Sequence, residues 1–211
     1  MTMKTLSEKI LSVLVTTALL GGLFVFDTVA ADIDALTENC ANCHGKDGAS
    51  MESSVPSIGG VSGQYMIDSL EIYKDRDRPC VEAEYLDGPD KGSKTDMCKI
   101  ADELSDEDIE ALAEFFADKE FVVAKQSFDP EKAARGQKIH DTNCEKCHED
   151  GGSSVDDDAG LLAGQWMPYL EQTMKAYLAA ERVMPKKMKP KMDKLTDAGL
   201  EDLLNYYGSL Q

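Results

Sequence analysis

The pentapeptide Cys40-Ala41-Asn42-Cys43-His44 returns 104 residues later as Cys144-Glu145-Lys146-Cys147-His148. The offset then holds without a gap: Gly48 matches Gly152, Gly60 matches Gly164, Tyr65 matches Tyr169, Tyr73 matches Tyr177 and Arg78 matches Arg182. Farther on it falls to 91, so that Met97 matches Met188, Leu104 matches Leu195, and Leu112 and Phe116 match Leu203 and Tyr207. The first copy therefore carries 13 extra residues between Arg78 and Met97, within segment 79–96. Self-similarity on this scale predicts two domains of one fold rather than one large core. Their expected limits are residues 32–122 and 129–211, with Phe128-Asp129-Pro130 restarting a helix at its first position.

The pattern within each copy is helical, and the expected fold class is all-α. Ser105-Asp106-Glu107-Asp108 reads as a capped helix start with acids in the first turn. Ile109, Leu112, Ala113 and Phe116 follow at helical spacing, and Leu200, Leu203, Leu204 and Tyr207 repeat the pattern. Tyr65–Lys74 and Met167–Ala180 form a second expected pair, and Ala133–Thr142 leads into the second pentapeptide. The Gly-, Ser- and Asp-rich stretches Gly45–Gly59 and Glu149–Ala163 read as loops. No stretch reads as an extended sheet.

The spacing Cys-x-x-Cys-His is that of covalent c-type haem attachment. Two thiols bond the haem and the adjacent His supplies an imidazole to its iron. A redox dithiol needs no such His, and a zinc site would pool two Cys pairs that here belong to separate copies. The expected cofactors are thus two haem c groups, bound by Cys40, Cys43 and His44 and by Cys144, Cys147 and His148. The chain has only three histidines. His140 is the one left over, so two bis-His haems are excluded. Its place four residues before Cys144 puts it on the proximal side or the surface. Methionine is the remaining soft ligand, and His/Met ligation suits electron transfer. The repeat singles out Met97 and Met188, each seven residues before the Leu of Leu-Ser/Thr-Asp. Met184 and Met192 are rivals in the second copy without a counterpart in the first.

The N-terminus reads as an export signal. Lys4 and Lys9 precede 17 uncharged residues, Ile10 to Phe26, and Val29-Ala30-Ala31 offers small residues for cleavage before Asp32. Retention of residues 1–31 as an anchor is the alternative, and only then would the protein be tethered to a membrane. Either way the remainder is expected in the periplasm. There the two cysteines outside the pentapeptides, Cys80 and Cys98, should form a disulfide at the edges of the insertion and steady the Met97 loop.

These residues resemble the two-domain di-haem class I cytochromes c, the pattern of cytochrome c4 and of the cytochrome subunit of flavocytochrome c sulfide dehydrogenase. The resemblance rests on both pentapeptides, on Leu162-Ala163-Gly164-Gln165 with Tyr169-Leu170, and on the two Met…Leu-Ser/Thr-Asp stretches. It implies two tandem cytochrome c domains, each wrapping one haem, with the haem propionates near the joint. It also implies that Pro56 orients the proximal His44. The second copy has Gly160 at that place, and the first has Val61 where the second has Gln165.

Charge limits the partners. The net charge of −18 repels a phosphate backbone, which excludes nucleic acid. Residues 32–128 hold 23 acids and 9 bases, whereas 129–211 hold 15 acids and 11 bases. Seven of those bases lie between Lys175 and Lys194, around Met188, as a basic collar that would steer charged partners. The expected function is single-electron transfer between periplasmic redox proteins, with no catalytic residues. Flavoproteins and terminal oxidases are the partner types in view. The alternatives are a cytochrome subunit accepting electrons from a sulfide-oxidising flavoprotein, and a di-haem peroxidase, against which the two methionine candidates argue.

Overall fold

The computed structural model describes residues 32–156 and 158–211. The export signal and its cleavage site lie outside the described residues. Among the described residues, no helix is long and apolar enough to cross a membrane.

The first copy builds α1 (Ile33–His44), α2 (Gly63–Lys74), α3 (Met97–Asp102) and α4 (Asp106–Ala117). The second builds α5 (Pro130–Asn143), the short turn α6 (Glu149–Gly152), α7 (Met167–Leu178), α8 (Lys189–Met192) and α9 (Asp197–Ser209). The helix starts follow from their caps. Asp32 accepts from the Ala35 N–H, and Ser62 from the Tyr65 N–H. Ser105 and Asp108 form the full reciprocal capping box that their spacing predicts. Asp129 caps α5, whose first residue is the expected Pro130. Helix α5 begins at Pro130, before the expected Ala133, because a cap rather than hydrophobicity sets the first turn.

The matching sequence positions make matching contacts. Phe116 of α4 and Tyr207 of α9 are the most buried large side chains of their helices, at 1% and 0% exposure. Around Phe116 pack Leu70, Ala101, Ile109 and Leu112; around Tyr207 pack Leu170, Met174, Leu200 and Leu203. Burial of each such aromatic contributes roughly 2–3 kcal/mol. Gly60 N–H donates to Phe116 O at 2.8 Å, and Gly164 N–H donates to Tyr207 O at 2.9 Å. Ile58 N–H meets Gly48 O at 2.8 Å, and Leu162 N–H meets Gly152 O at 2.9 Å. Backbone bonds repeated at the two offsets, 104 and 91, show that the duplication is one of architecture. The fold is all-α, with two tandem helical units of one architecture.

Gly136 explains how α5 and α9 pack so closely. A Cβ there would stand 2.0 Å from Asp202 O, so any side chain would force the two backbones apart.

The insertion differs from expectation. Ala83–Glu84 (β1) and Lys94–Thr95 (β2) pair antiparallel, Ala83 opposite Thr95 and Glu84 opposite Lys94. Strands of two residues are too short to leave an alternating pattern, so the sequence carries no period to read. Leu86 and Asp87 N–H groups both donate to Asn42 O, at 2.9 and 3.1 Å, which seats the hairpin on α1. Cys80 and Cys98 form the expected disulfide across its base. The stretch 149–163, expected as loop throughout, starts with α6, a turn with positive φ at Asp150 and Gly151.

Candidate functional site

The first pentapeptide lies in the last turns of α1, which puts Cys40, Cys43 and His44 on the wall of one cavity of about 630 Å³. Gly45 ends the helix at φ +76°, and a Cβ there would meet Ala49 O at 2.2 Å, so the sharp exit after His44 requires glycine. His44 is buried, and its Nδ1 lies 2.9 Å from Pro56 O. A carbonyl only accepts, so Nδ1 carries the proton and Nε2 keeps a lone pair for a metal. Burial, partly offset by that bond, holds the His44 pKa below its ordinary value and the ring neutral. Pro56 thus stands where the resemblance expects it.

Burial, and then the neighbouring Cys43 thiol, push the Cys40 pKa up to about 11. Burial also raises Cys43 and Cys144. A redox dithiol depends on a lowered thiol pKa, which the Cys40–Cys43 pair lacks. Met97, the first residue of α3, lines the same cavity, and Cys98 beside it is tied to Cys80.

The cavity is closed partly by the second copy. Gln165, Tyr169, Thr173 and Arg182 line it together with Arg78. Arg78 and Arg182 are 7% and 4% exposed, and each guanidinium stacks on its own repeat's tyrosine: Arg78 on Tyr73 at 4.2 Å, Arg182 on Tyr177 at 4.4 Å. Among the described residues no carboxylate pairs with either, and Arg182 Nε has no hydrogen-bond partner. Burial alone would raise the Tyr169 phenol, but Arg78 and Arg182 outweigh it and hold it below the usual value. Two buried positive charges without an anion are costly. The site therefore calls for a ligand that is apolar in body and anionic at one end, and haem with its carboxylates answers that description.

The second pentapeptide sits differently. Cys144 caps α5, Cys147 is exposed in the following turn, and His148 leads into α6. Met192 is buried, and Met184 and Met188 are half-buried; all three pack on the second core. Gly160, where the first copy has Pro56, faces Tyr65: a Cβ would lie 2.7 Å from its hydroxyl oxygen. The joint with the first copy accounts for the missing proline.

His140 corrects the surface reading. It is 0% exposed, bonded through Nδ1 to the Tyr207 hydroxyl at 3.0 Å and through Nε2 to Glu145 at 2.5 Å. Both nitrogens are engaged by protein, so it is a structural histidine. Its spacing from Cys144 places it on α5, but the face it turns inward is set by the α5–α9 packing. The collar lysines Lys175, Lys186, Lys187, Lys189, Lys191 and Lys194 are exposed, but Arg182, expected among them, is buried at the joint by its stacking on Tyr177. Gln165 is the residue whose importance the sequence left unread. Its absence from the matching place in the first copy was the available signal.

Comparisons with known proteins agree with this geometry. Cytochrome c-554(548) of Halomonas halodenitrificans is 31% identical over 81 residues, 38% of this chain and 84% of that protein. The chain belongs to the cytochrome c family. The family described as Cytochrome c matches residues 30–118 of this cytochrome c, and that described as Cytochrome C oxidase, cbb3-type, subunit III matches residues 131–206. Cytochrome c4 of Pseudomonas aeruginosa is 25% identical over 179 residues, 80% of each chain. The crystal structure of reduced recombinant cytochrome c4 from Pseudomonas stutzeri superposes with a TM-score of 0.66 at 26% identity, covering 85% of this chain and 99% of that one. This cytochrome c therefore has two tandem cytochrome c domains, binds covalent haem c and works in electron transfer, in the manner of cytochrome c4.

Proposed function

We propose that this cytochrome c is a di-haem carrier that passes single electrons between redox proteins of the periplasm. The supporting observation is the shared wall of one cavity, where Cys40, Cys43, a neutral Nδ1-protonated His44 and Met97 meet. When bound, haem supplies an iron that gains or loses one electron.

The chain's own residues do the rest. Cys40 and Cys43 hold the first haem, and Cys144 and Cys147 the second. His44 and Met97 would ligate the first haem's iron, and His148 and Met188 the second's. Met188 is preferred to Met184 and Met192 because it alone repeats the place of Met97. Arg78 and Arg182, buried at the joint, would neutralise the carboxylates of a bound haem. The domains divide near residues 122–129. Cleavage before Asp32 releases the chain after export, and the exposed lysines around Met188 guide acidic partners to the second haem.

Reduced and oxidised spectra of the purified protein, with haem counted after extraction into alkaline pyridine, test this reading. Two c-type haems per chain and no carbon monoxide complex are expected. One haem per chain, or a reduced form that binds carbon monoxide tightly, contradicts it. Purification from periplasmic extract discriminates the partner: a flavin-bearing protein in constant ratio would make the chain the cytochrome subunit of a sulfide-oxidising enzyme.

A further inference from the structure

We infer that Gln165, a residue of the second domain, sets the redox equilibrium of the first haem through the backbone that holds His44. The inference rests on the proposed role of His44 as that haem's proximal ligand.

The Pro56–Ser57 peptide unit is engaged at both ends. Its carbonyl, Pro56 O, accepts from His44 Nδ1–H at 2.9 Å. Its N–H, that of Ser57, donates to Gln165 Oε1 at 2.9 Å. The two bonds lie on one amide, so each polarises the other: electron density drawn from the N–H end makes the carbonyl a stronger acceptor. Gln165 Nε2 in turn donates to Ser57 O at 2.9 Å, which fixes the peptide's position.

The orientation of the Gln165 amide is settled by its neighbours. Oε1 also accepts from Trp166 N–H at 3.2 Å, and a turned amide would set its NH2 against two N–H donors. The strut is anchored as well. Gln126 of the connecting segment donates to Gln165 O at 2.8 Å and accepts from Met167 N–H at 2.9 Å, while Trp166 Nε1 donates to Ser50 O at 3.1 Å. Gln165 and Ser57 are each 3% exposed, so water does not substitute for either partner.

A stronger acceptor at Nδ1–H makes an imidazole a better electron donor. That favours the more positive ferric iron. Gln165 therefore lowers the potential of the first haem, and it does so only while the two domains are docked. The second copy cannot return the favour in kind, since Val61 occupies the place of Gln165 and Gly160 the place of Pro56. The duplication thus yields two unlike haems from like ligands. Gln165 is a positioning residue, touching no haem atom.

The test compares Gln165→Leu and Gln165→Glu with the wild type. Two midpoint potentials are resolved by spectroelectrochemical titration and assigned with Met97→His, which displaces the first. Gln165→Leu removes the acceptor and shifts the first haem's equilibrium toward the ferrous form by about threefold or more, where tenfold is about 59 mV for a one-electron couple. The second haem stays in place. Gln165→Glu at neutral pH keeps an acceptor for Ser57 N–H, and the first potential stays at or below that of the wild type. In the reduced, diamagnetic protein the His44 Nδ1 proton moves upfield and exchanges faster in Gln165→Leu alone. Equal shifts of both haems, or shifts of one sign in both variants, mean mere loosening and overturn the inference. No shift in a wild-type-like protein with two haems overturns it while leaving the ligand assignment intact. Absence of haem at Cys40 and Cys43 overturns both.

Discussion

Cys80 and Cys98 are joined by a disulfide, with Cα atoms 5.5 Å apart, and Cys98 directly follows Met97. The bond closes an 18-residue separation that contains the whole β1–β2 hairpin. One covalent clamp thereby holds both the insertion against α1 and the start of α3.

Removing the clamp tests this coupling. The double substitution Cys80→Ser with Cys98→Ser should lower stability by about 3 kcal/mol, the chain-entropy value for a loop of this size. Denaturant unfolding measures it. The methionine–iron charge-transfer band of one haem should fade at a lower temperature than in the wild type, while that of the other does not move.

Arg182 belongs to the second domain yet lines the cavity of the first. Arg182→Gln keeps polarity and removes the charge. If Arg182 pairs with a haem carboxylate, its loss would favour ferric iron, so the first haem's potential should fall by the equivalent of roughly 1 kcal/mol. An unchanged potential in a folded variant counts against carboxylate pairing at this arginine.

His140 is a structural residue on this account. His140→Ala should lower stability by about 1–3 kcal/mol, because the Tyr207 hydroxyl and Glu145 lose a buried partner. The haem content and the visible spectrum should match the wild type. A spectral change at either haem would mean that His140 reaches an iron.

The same contact gives a pH signature. The hydrogen bond from His140 holds the Glu145 carboxyl below the usual carboxylate range, opposed by desolvation and helped by the Gly151 and Asp150 N–H groups. A carboxylate with a depressed folded pKa contributes stability above its unfolded value, and that contribution is lost as pH falls through the folded value. Thermal midpoints from pH 7 down to pH 3 should therefore fall less steeply in Glu145→Gln. Parallel curves would remove the pair from the account.

Charge reversal of the collar, Lys186→Glu with Lys187→Glu, should slow electron exchange with an acidic redox partner and flatten its dependence on ionic strength. Stopped-flow rates at several salt concentrations check it. Unchanged kinetics would make the collar a solvated face only.

The duplication was legible because it is written in both spacing and type. The Gly60 and Gly164 bonds to Phe116 and Tyr207 fall where the two offsets put them. Capping chemistry fixed the start of α4 to the residue, since Ser105 and Asp108 satisfy each other locally. The hairpin was not legible, because its docking on Asn42 is a tertiary contact made by backbone atoms that any sequence possesses. The inward face of His140 and the reach of Gln165 to Ser57 were hidden for the same reason. Both depend on a helix pair or a domain pair being in place, and neither leaves a local period or motif.

The central claim assigns four cysteines to two haems and two to one another. Intact-mass measurement on the unfolded, unreduced chain, with and without alkylation, tests it most directly. The account predicts a mass raised by two covalently held haems, with no alkylated cysteine. Substitution of Cys40 and Cys43 by alanine should leave a single haem on the chain. A wild-type chain without added haem, or with alkylatable thiols at Cys40, Cys43, Cys144 or Cys147, would contradict it.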